Sequence, residues 1–216
     1  MLEQVSALDP GIDLALRLMS ALRNPSFLPV IYPALYEGGV ADGSLHAYML
    51  SALVLVGDRL GYTPVCDAPT FDRLDILLTG DGAKRPDALW FRRGTDEVKC
   101  LVEFERYSSR SLPPKALNLL VMGKEHRQTL DLAVLHYWSY ARCSEMDLIG
   151  VASVFAHGFQ HVSGLSFQPL DCPALVVETI VLDQAGTVTI AGSWPQLFIS
   201  KGENKAYVVE MLNEAV

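Results

Sequence analysis

Pro86-Asp87-Ala88-Leu89-Trp90-Phe91-Arg92-Arg93-Gly94-Thr95-Asp96-Glu97-Val98-Lys99-Cys100-Leu101-Val102-Glu103-Phe104-Glu105 decides how this chain folds. Two apolar runs flank Gly94-Thr95-Asp96, the pattern of two strands joined by a turn. A three-residue loop pairs Arg93 with Glu97 and, further along the ladder, Leu89 with Leu101, Asp87 with Glu103, and Arg85 with Glu105. Ala88 and Trp90, with Val98, Cys100, Val102 and Phe104, then share the other face, which reads as core. A two-residue loop would slip the register and send the two acids to opposite faces.

Asp87 and Glu103 are the unusual pair. Residues directly opposed on a sheet have Cβ atoms about 4.5–5.5 Å apart, and like charges so placed repel. A divalent cation removes the repulsion, because Mg²⁺ takes oxygen ligands and is often held by one or two carboxylates plus a substrate phosphate. The acid-bearing face is apolar near the turn and ionic at its far end, as expected of a site at the mouth of a sheet.

Helices are predicted on both sides of this hairpin. Asp9-Pro10 is a cap followed by proline, and Ile12, Leu16 and Met19, with Leu18 and Leu22 alongside, give a helix from Asp9 to Arg23. Pro25, Pro29 and Pro33 break the pattern, and Glu37 to Ser44 is a glycine-rich loop. Ser44 caps a second helix to about Leu60, with Leu45, Met49, Leu53, Val56 and Leu60 buried and Gly61 as its stop. Tyr62 to Cys66 reads as extended, and Asp67 to Lys84 as irregular. After the hairpin, Ser109 or Ser111 with Pro113-Pro114 opens a helix to about Arg127, and Leu130 to Tyr137 is a buried strand. Ser144 to Phe159 has helical spacing, Leu175 to Leu182 and Thr187 to Ala191 form a hairpin through Gln184-Ala185-Gly186, and Ala206 to Ala215 reads as a closing helix. The order implies an α/β architecture, a mixed sheet flanked by helices.

Pro86-Asp87, an apolar strand, and Glu103-Phe104-Glu105 on the next strand, set between helices over roughly residues 44–137, resemble the PD-(D/E)XK nuclease superfamily, the restriction-endonuclease-like fold. The resemblance implies a nuclease-like core at about 44–137 in one α/β domain, with an N-terminal helical extension over 1–43 and a C-terminal extension over 138–216. It also implies that Asp87 and Glu103 bind Mg²⁺ or Mn²⁺ for hydrolysis of phosphodiester bonds of DNA, and that a homodimer is a common state. One departure stands out: Glu105 occupies the place of the usual lysine, which orients or activates water and stabilises phosphate charge. Some members carry that lysine on a neighbouring element, and Lys115 on the following helix is the candidate. Phe104-Glu105-Arg106-Tyr107-Ser108-Ser109 followed by Lys115 is similar to the variant of mobile-element and replication-associated members. The catalytic set is then Asp87, Glu103, Glu105 and Lys115, with Glu105 or Lys115 positioning the water and Arg106 or Arg110 contacting phosphate. The alternative is a catalytically inactive descendant of the fold acting as an interaction or regulatory module. In that case Glu105 pairs with Arg85 on the surface, worth about 0–1 kcal/mol.

The remaining composition narrows the alternatives. With 216 residues, half of them hydrophobic, the chain supports one sizeable core. Net charge is −8, so the molecule as a whole does not attract nucleic acid or an anionic membrane, although Lys84, Arg85, Arg92, Arg93, Arg106 and Arg110 cluster around the acids. Cys66, Cys100, Cys143 and Cys172 have no C-x-x-C spacing, which argues against a zinc ribbon or redox motif, and Cys100 reads as a small buried hydrophobe. Leu50 to Val56 is too short for a membrane span and no signal sequence is evident, so a cytoplasmic setting is expected. His157 and His161 have helical metal-ligand spacing, but Gly158 weakens a helix there and no glutamate lies between them as in a zincin. His136, inside a strand, reads as a satisfied, partly buried residue. No P-loop, G-x-G-x-x-G or G-x-S-x-G occurs. Trp90, Trp138, Trp194, Tyr137 and Tyr140 would stack on bases if exposed, but their apolar neighbours mark them as core.

Overall fold

The computed structural model describes residues 9–23, 40–41, 44–66, 86–107, 112–160, 164, 166–184, 186–201 and 206–210. Lys84, Arg85, Arg110, His161 and the stretch 67–85 lie outside these, as do the expected proline breaks and most of the glycine-rich loop. The elements in chain order are α1 (Pro10–Arg23), β1 (Val40–Ala41), α2 (Leu45–Arg59), β2 (Tyr62–Cys66), β3 (Ala88–Arg92), β4 (Val98–Arg106) and α3 (Leu112–Gly123). They are followed by β5 (Leu132–Ser139), α4 (Glu145–His157), β6 (Phe159–Gln160), β7 (Ser166–Phe167), β8 (Ala174–Gln184), β9 (Thr187–Lys201) and β10 (Ala206–Glu210).

One mixed sheet organises the described residues, in the order β1-β9-β8-β5-β4-β3-β2, with β10 also on β9. The two central junctions, β4 with β5 and β5 with β8, are parallel; the others are antiparallel. Parallel neighbours need a crossover, and α3 and α4 supply the connections. All eight residues of β5 are buried, as a strand covered on both faces requires. On one face, α1 and α2 pack over Ala88, Trp90, Cys100, Val102, Phe104, Val134 and Trp138. On the other, α3 and α4 pack over Leu89, Leu101, Ala133, Leu135, Tyr137 and Val176. The architecture is α/β, a mixed sheet flanked by helices.

Local chemistry explains the helix boundaries. Asp9 Oδ1 accepts from the backbone N–H of Gly11 and Ile12 at 2.9 and 3.2 Å, capping α1. Ser144 Oγ accepts from Asp147 N–H at 3.2 Å to start α4, and Gly158, at φ 71° and ψ −156°, ends it. Cys100 is fully buried, as a small hydrophobe.

Several expectations are corrected: Tyr140, read as core with its apolar neighbours, is 40% exposed just past the end of β5, and Ser44 stands before α2 without a side-chain hydrogen bond to it. The buried stripe of α1 is Leu14, Ala15, Leu18 and Met19, whereas Leu16 is 36% exposed, because Gly11 brings that side of the helix against the carbonyl of Asp131. The segment Ala206–Glu210 is a strand on β9 and not a helix, its backbone drawn into an antiparallel ladder with Leu197 to Lys201. His136 is 1% exposed and not partly buried, and its Nδ1 has no hydrogen-bond partner.

The hairpin is the last. The turn pairs Arg92, not Arg93, with Glu97, whose carbonyl accepts from Arg92 N–H at 2.8 Å, leaving a four-residue loop. A β-bulge opposite Trp90 and Phe91 then takes up one extra residue, Lys99, and restores the pairs Trp90–Cys100, Leu89–Leu101 and Ala88–Val102. Val98 accordingly turns into the α3/α4 core and not the core of Trp90 and Cys100.

Candidate active site

Beyond Ala88–Val102 the same register brings Asp87 alongside Glu103, at the ends of β3 and β4. Asp87 Oδ2 accepts the backbone N–H of Phe104 at 2.6 Å, which fixes the carboxylate against β4. Glu103 is 2% exposed and lies on the α3/α4 side of the sheet, two residues beyond Leu101. Burial, reinforced by the nearby charge of Asp87 and opposed by Lys115, pushes its carboxyl up to about 8.

Lys115 comes from the first turn of α3. Leu112, Ala116, Leu119 and Leu120 anchor that helix on the sheet, and the lysine between them reaches back over β4. Its Nζ stands 3.4 Å from Glu103 Oε2 and 2.7 Å from Glu105 Oε2. Burial works against the ammonium, but the two glutamates outweigh it and hold its pKa above the ordinary lysine value. The structure thus brings together four of the residues singled out in the sequence, Asp87, Glu103, Glu105 and Lys115. Arg106 is separate from them: strand alternation turns it to the other side of the sheet, where its guanidinium lies 5.0 Å from the Trp138 ring centre and 5.5 Å from that of Tyr140. The proposed partner of Glu105, Arg85, and the second phosphate contact, Arg110, fall outside the described residues.

Two groups at this rim went unread in the sequence. His46, in the first turn of α2, places Nε2 3.6 Å from Asp87 Oδ1 and its ring 5.4 Å from Phe104. The Asp87 hydrogen bond raises its pKa against the cost of partial burial. Position 46 lies on the polar side of α2, so local periodicity offers no hint of it. Glu178 on β8 stands in one register row with Glu105 and Tyr137 across the three parallel strands. It is 1% exposed, is paired with Arg142 Nε at 2.6 Å, and accepts the backbone N–H of Cys143. An acid inside the apolar run of β8 was the available signal.

The rim therefore presents a row of carboxylates at the C-terminal ends of parallel strands, the usual place for ligands in such sheets. Hard oxygen donors of this kind suit Mg²⁺ or Mn²⁺, with Asp87 and Glu103 as the candidate holders. Among the described residues, no group of three or more His, Cys, Asp or Glu side chains is gathered as a metal cage. No helix among them is long and apolar enough to cross a membrane.

No family model matches the chain, and no curated protein matches it. Among solved structures it is similar to the restriction endonuclease BGLII, crystallised with a DNA 16-mer, at 14% identity over 76% of this chain and 73% of that one, with a TM-score of 0.31.

Proposed function

We propose that this chain is a metal-dependent nuclease that hydrolyses phosphodiester bonds of DNA, with Asp87 and Glu103 as ligands of Mg²⁺ or Mn²⁺. The observation that carries the reading is the approach of Lys115, from a separate helix, to a buried Glu103 beside Asp87. A carboxyl held near pH 8 by burial and a like charge is one whose ionised form a divalent cation would stabilise. When bound, such a cation polarises the scissile phosphate and lowers the pKa of a coordinated water.

The chain's own groups have definite tasks. The Phe104 N–H fixes one oxygen of Asp87 and leaves the other toward His46 and the rim. Lys115 provides an ammonium to the phosphate or its attacking water, and Glu105 accepts from that water. Lys115 thus serves from α3 in place of a lysine two residues after Glu103.

The test is calorimetric titration with Mg²⁺ and Mn²⁺, followed by plasmid nicking with Asp87→Ala and Lys115→Ala. Saturable binding lost in Asp87→Ala, and nicking lost in both variants, is the expected result. No saturable binding, or binding indifferent to Asp87→Ala, overturns the reading; nicking indifferent to both substitutions belongs to another site.

A second reading has its own support. Lys115 already balances Glu103 and Glu105 without a metal, and the net charge of −8 opposes nucleic acid at long range. On that reading the chain is an inactive interaction or regulatory module, and the same titration returns no binding from a folded protein.

A further inference from the structure

Tyr137, Trp138 and Tyr140 are three aromatic residues at the end of β5, and they differ in one respect. Tyr137 and Trp138 are buried, whereas Tyr140 is 40% exposed. Arg106, at the end of the adjacent β4, lies with its guanidinium within 5.5 Å of both the Trp138 and Tyr140 rings, which cross edge to face at 5.8 Å. Such cation–π contact sets the orientation of the arginine and of the tyrosine together. Two residues after Tyr140, Arg142 is half exposed while its Nε is held by the buried Glu178. The segment between them is braced by a hydrogen bond from Ser139 Oγ to the Ala141 carbonyl and by the Cys143 N–H on Glu178.

We propose that this loop, residues 139–143, together with Arg106, is the docking element for a single DNA strand: Tyr140 stacks on an unpaired base, and Arg106 and Arg142 contact the flanking phosphates. The proposal rests on the nuclease reading and deepens it by naming the substrate class. Its location fits, since the loop leaves the same strand ends that carry Glu105 and Glu178. Phosphate chemistry fits as well, because Arg106, on the far side of the sheet from Glu105, and the half-exposed Arg142 each bring a guanidinium to these strand ends. Stacking on Tyr140, 40% exposed, selects single strand over duplex: every base has a π-face to stack, but within a duplex those faces are covered by the neighbouring pairs.

The experiment is fluorescence anisotropy of a labelled mixed-sequence oligodeoxynucleotide, with Ca²⁺ replacing Mg²⁺ to hold cleavage off. Tyr140→Ala is expected to weaken binding by about 5- to 100-fold, the range for loss of one base stack, and Tyr140→Phe to retain it. A strand of abasic units should bind more weakly and be indifferent to Tyr140→Ala. Arg106→Gln, and Arg142→Gln combined with Glu178→Gln so that no buried charge is left unpaired, should each lower the slope of log affinity against log salt by about 1. Failure of the wild type to bind the strand, unchanged affinity in Tyr140→Ala, or an equal loss on the abasic strand or on blunt duplex overturns the proposal. The metal titration keeps the two readings apart. Strand binding that depends on Tyr140 without any metal binding retains the docking element and removes the nuclease, and metal-dependent nicking with affinity indifferent to Tyr140 does the reverse.

Discussion

Replacing Glu103 by glutamine removes a buried charge while keeping the side chain's shape. The carboxyl normally loses its proton near pH 4.5, and in this fold near pH 8. Between those values the folded chain holds a proton that the unfolded chain has released. The stability associated with Glu103 is therefore fully present below pH 4.5, falls as pH rises through the window to about 8, and is level above it. At pH 7 the loss is at most about 3 kcal/mol, since each tenfold separation in proton affinity is worth about 1.4 kcal/mol and water beside the partly exposed Lys115 would relieve some of it. For a chain of this size about 1 kcal/mol moves the melting temperature by about 2–4 °C.

Urea melts in EDTA at pH 5, 7 and 9 measure this directly. Glu103→Gln should match or fall below the wild type at pH 5, exceed it by about 1–3 kcal/mol at pH 7, and exceed it by more at pH 9. Because the same background residues titrate in both proteins, the difference curve isolates Glu103. Under the nuclease reading, saturating Mg²⁺ should then stabilise the wild type and leave Glu103→Gln unmoved. Wild-type and Glu103→Gln curves that stay parallel from pH 5 to 9 would refute the buried, proton-retaining carboxyl and with it the electrostatic argument for a cation there.

Three further perturbations follow from the same structure. Lys115→Ala leaves Glu103 and Glu105 without the ammonium 3.4 and 2.7 Å away, so it should cost about 1–3 kcal/mol at pH 9 and less at pH 5, read from the same melts, and should lower nicking by at least about 100-fold. His136 is held neutral by burial, with its pKa lowered to about 3. Its contribution is full above pH 6.5 and is lost as pH falls toward 3, so His136→Leu should flatten the acid limb by about 2–3 kcal/mol at pH 4.5, while Thr179 keeps its 2.8 Å bond to Ser193; an unchanged limb would place the imidazole in water. Gly158→Ala should destabilise by more than about 2 kcal/mol in urea, because φ is 71° and an added Cβ would meet the Phe167 carbonyl oxygen at 2.1 Å.

The parts of this fold legible in the sequence are those set by long hydrophobic patterns. The helix reaching to Arg59, the buried strand ending in Ser139, and the hairpin of β8 and β9 all announce themselves through periodicity and flanking turn residues. What was illegible depends on partners distant in sequence. Leu16 on α1 looked inward until the approach of Gly11 to Asp131 set the helix's rotation. Ala206–Glu210, rich in residues that suit either state, became a strand because β9 offered an open edge. In the candidate site, Lys115 was readable as a basic residue one turn into a helix after an acidic strand end. His46 and Glu178 meet the rim only through tertiary packing, and no local pattern encodes that.

The acid pair itself depends on two features acting together, one of which the sequence concealed. A four-residue loop with Arg92 opposite Glu97, continued without interruption, would set Asp87 opposite Val102 and turn Glu103 to the other side of the sheet from Asp87. The extra residue at Lys99 cancels that shift, so the register at the far end is the one a three-residue loop would have produced. Lys99 is stabilised in the bulge by its own contacts: it is 7% exposed, and its Nζ donates to the Thr129 carbonyl at 2.9 Å and to Asp131 at 3.5 Å. A buried lysine with two acceptors is costly to move, so the bulge holds its place. The convergence of Asp87, Glu103 and Lys115 is thus determined more than ten ångströms of strand away from the acids, by a residue that takes no part in their chemistry.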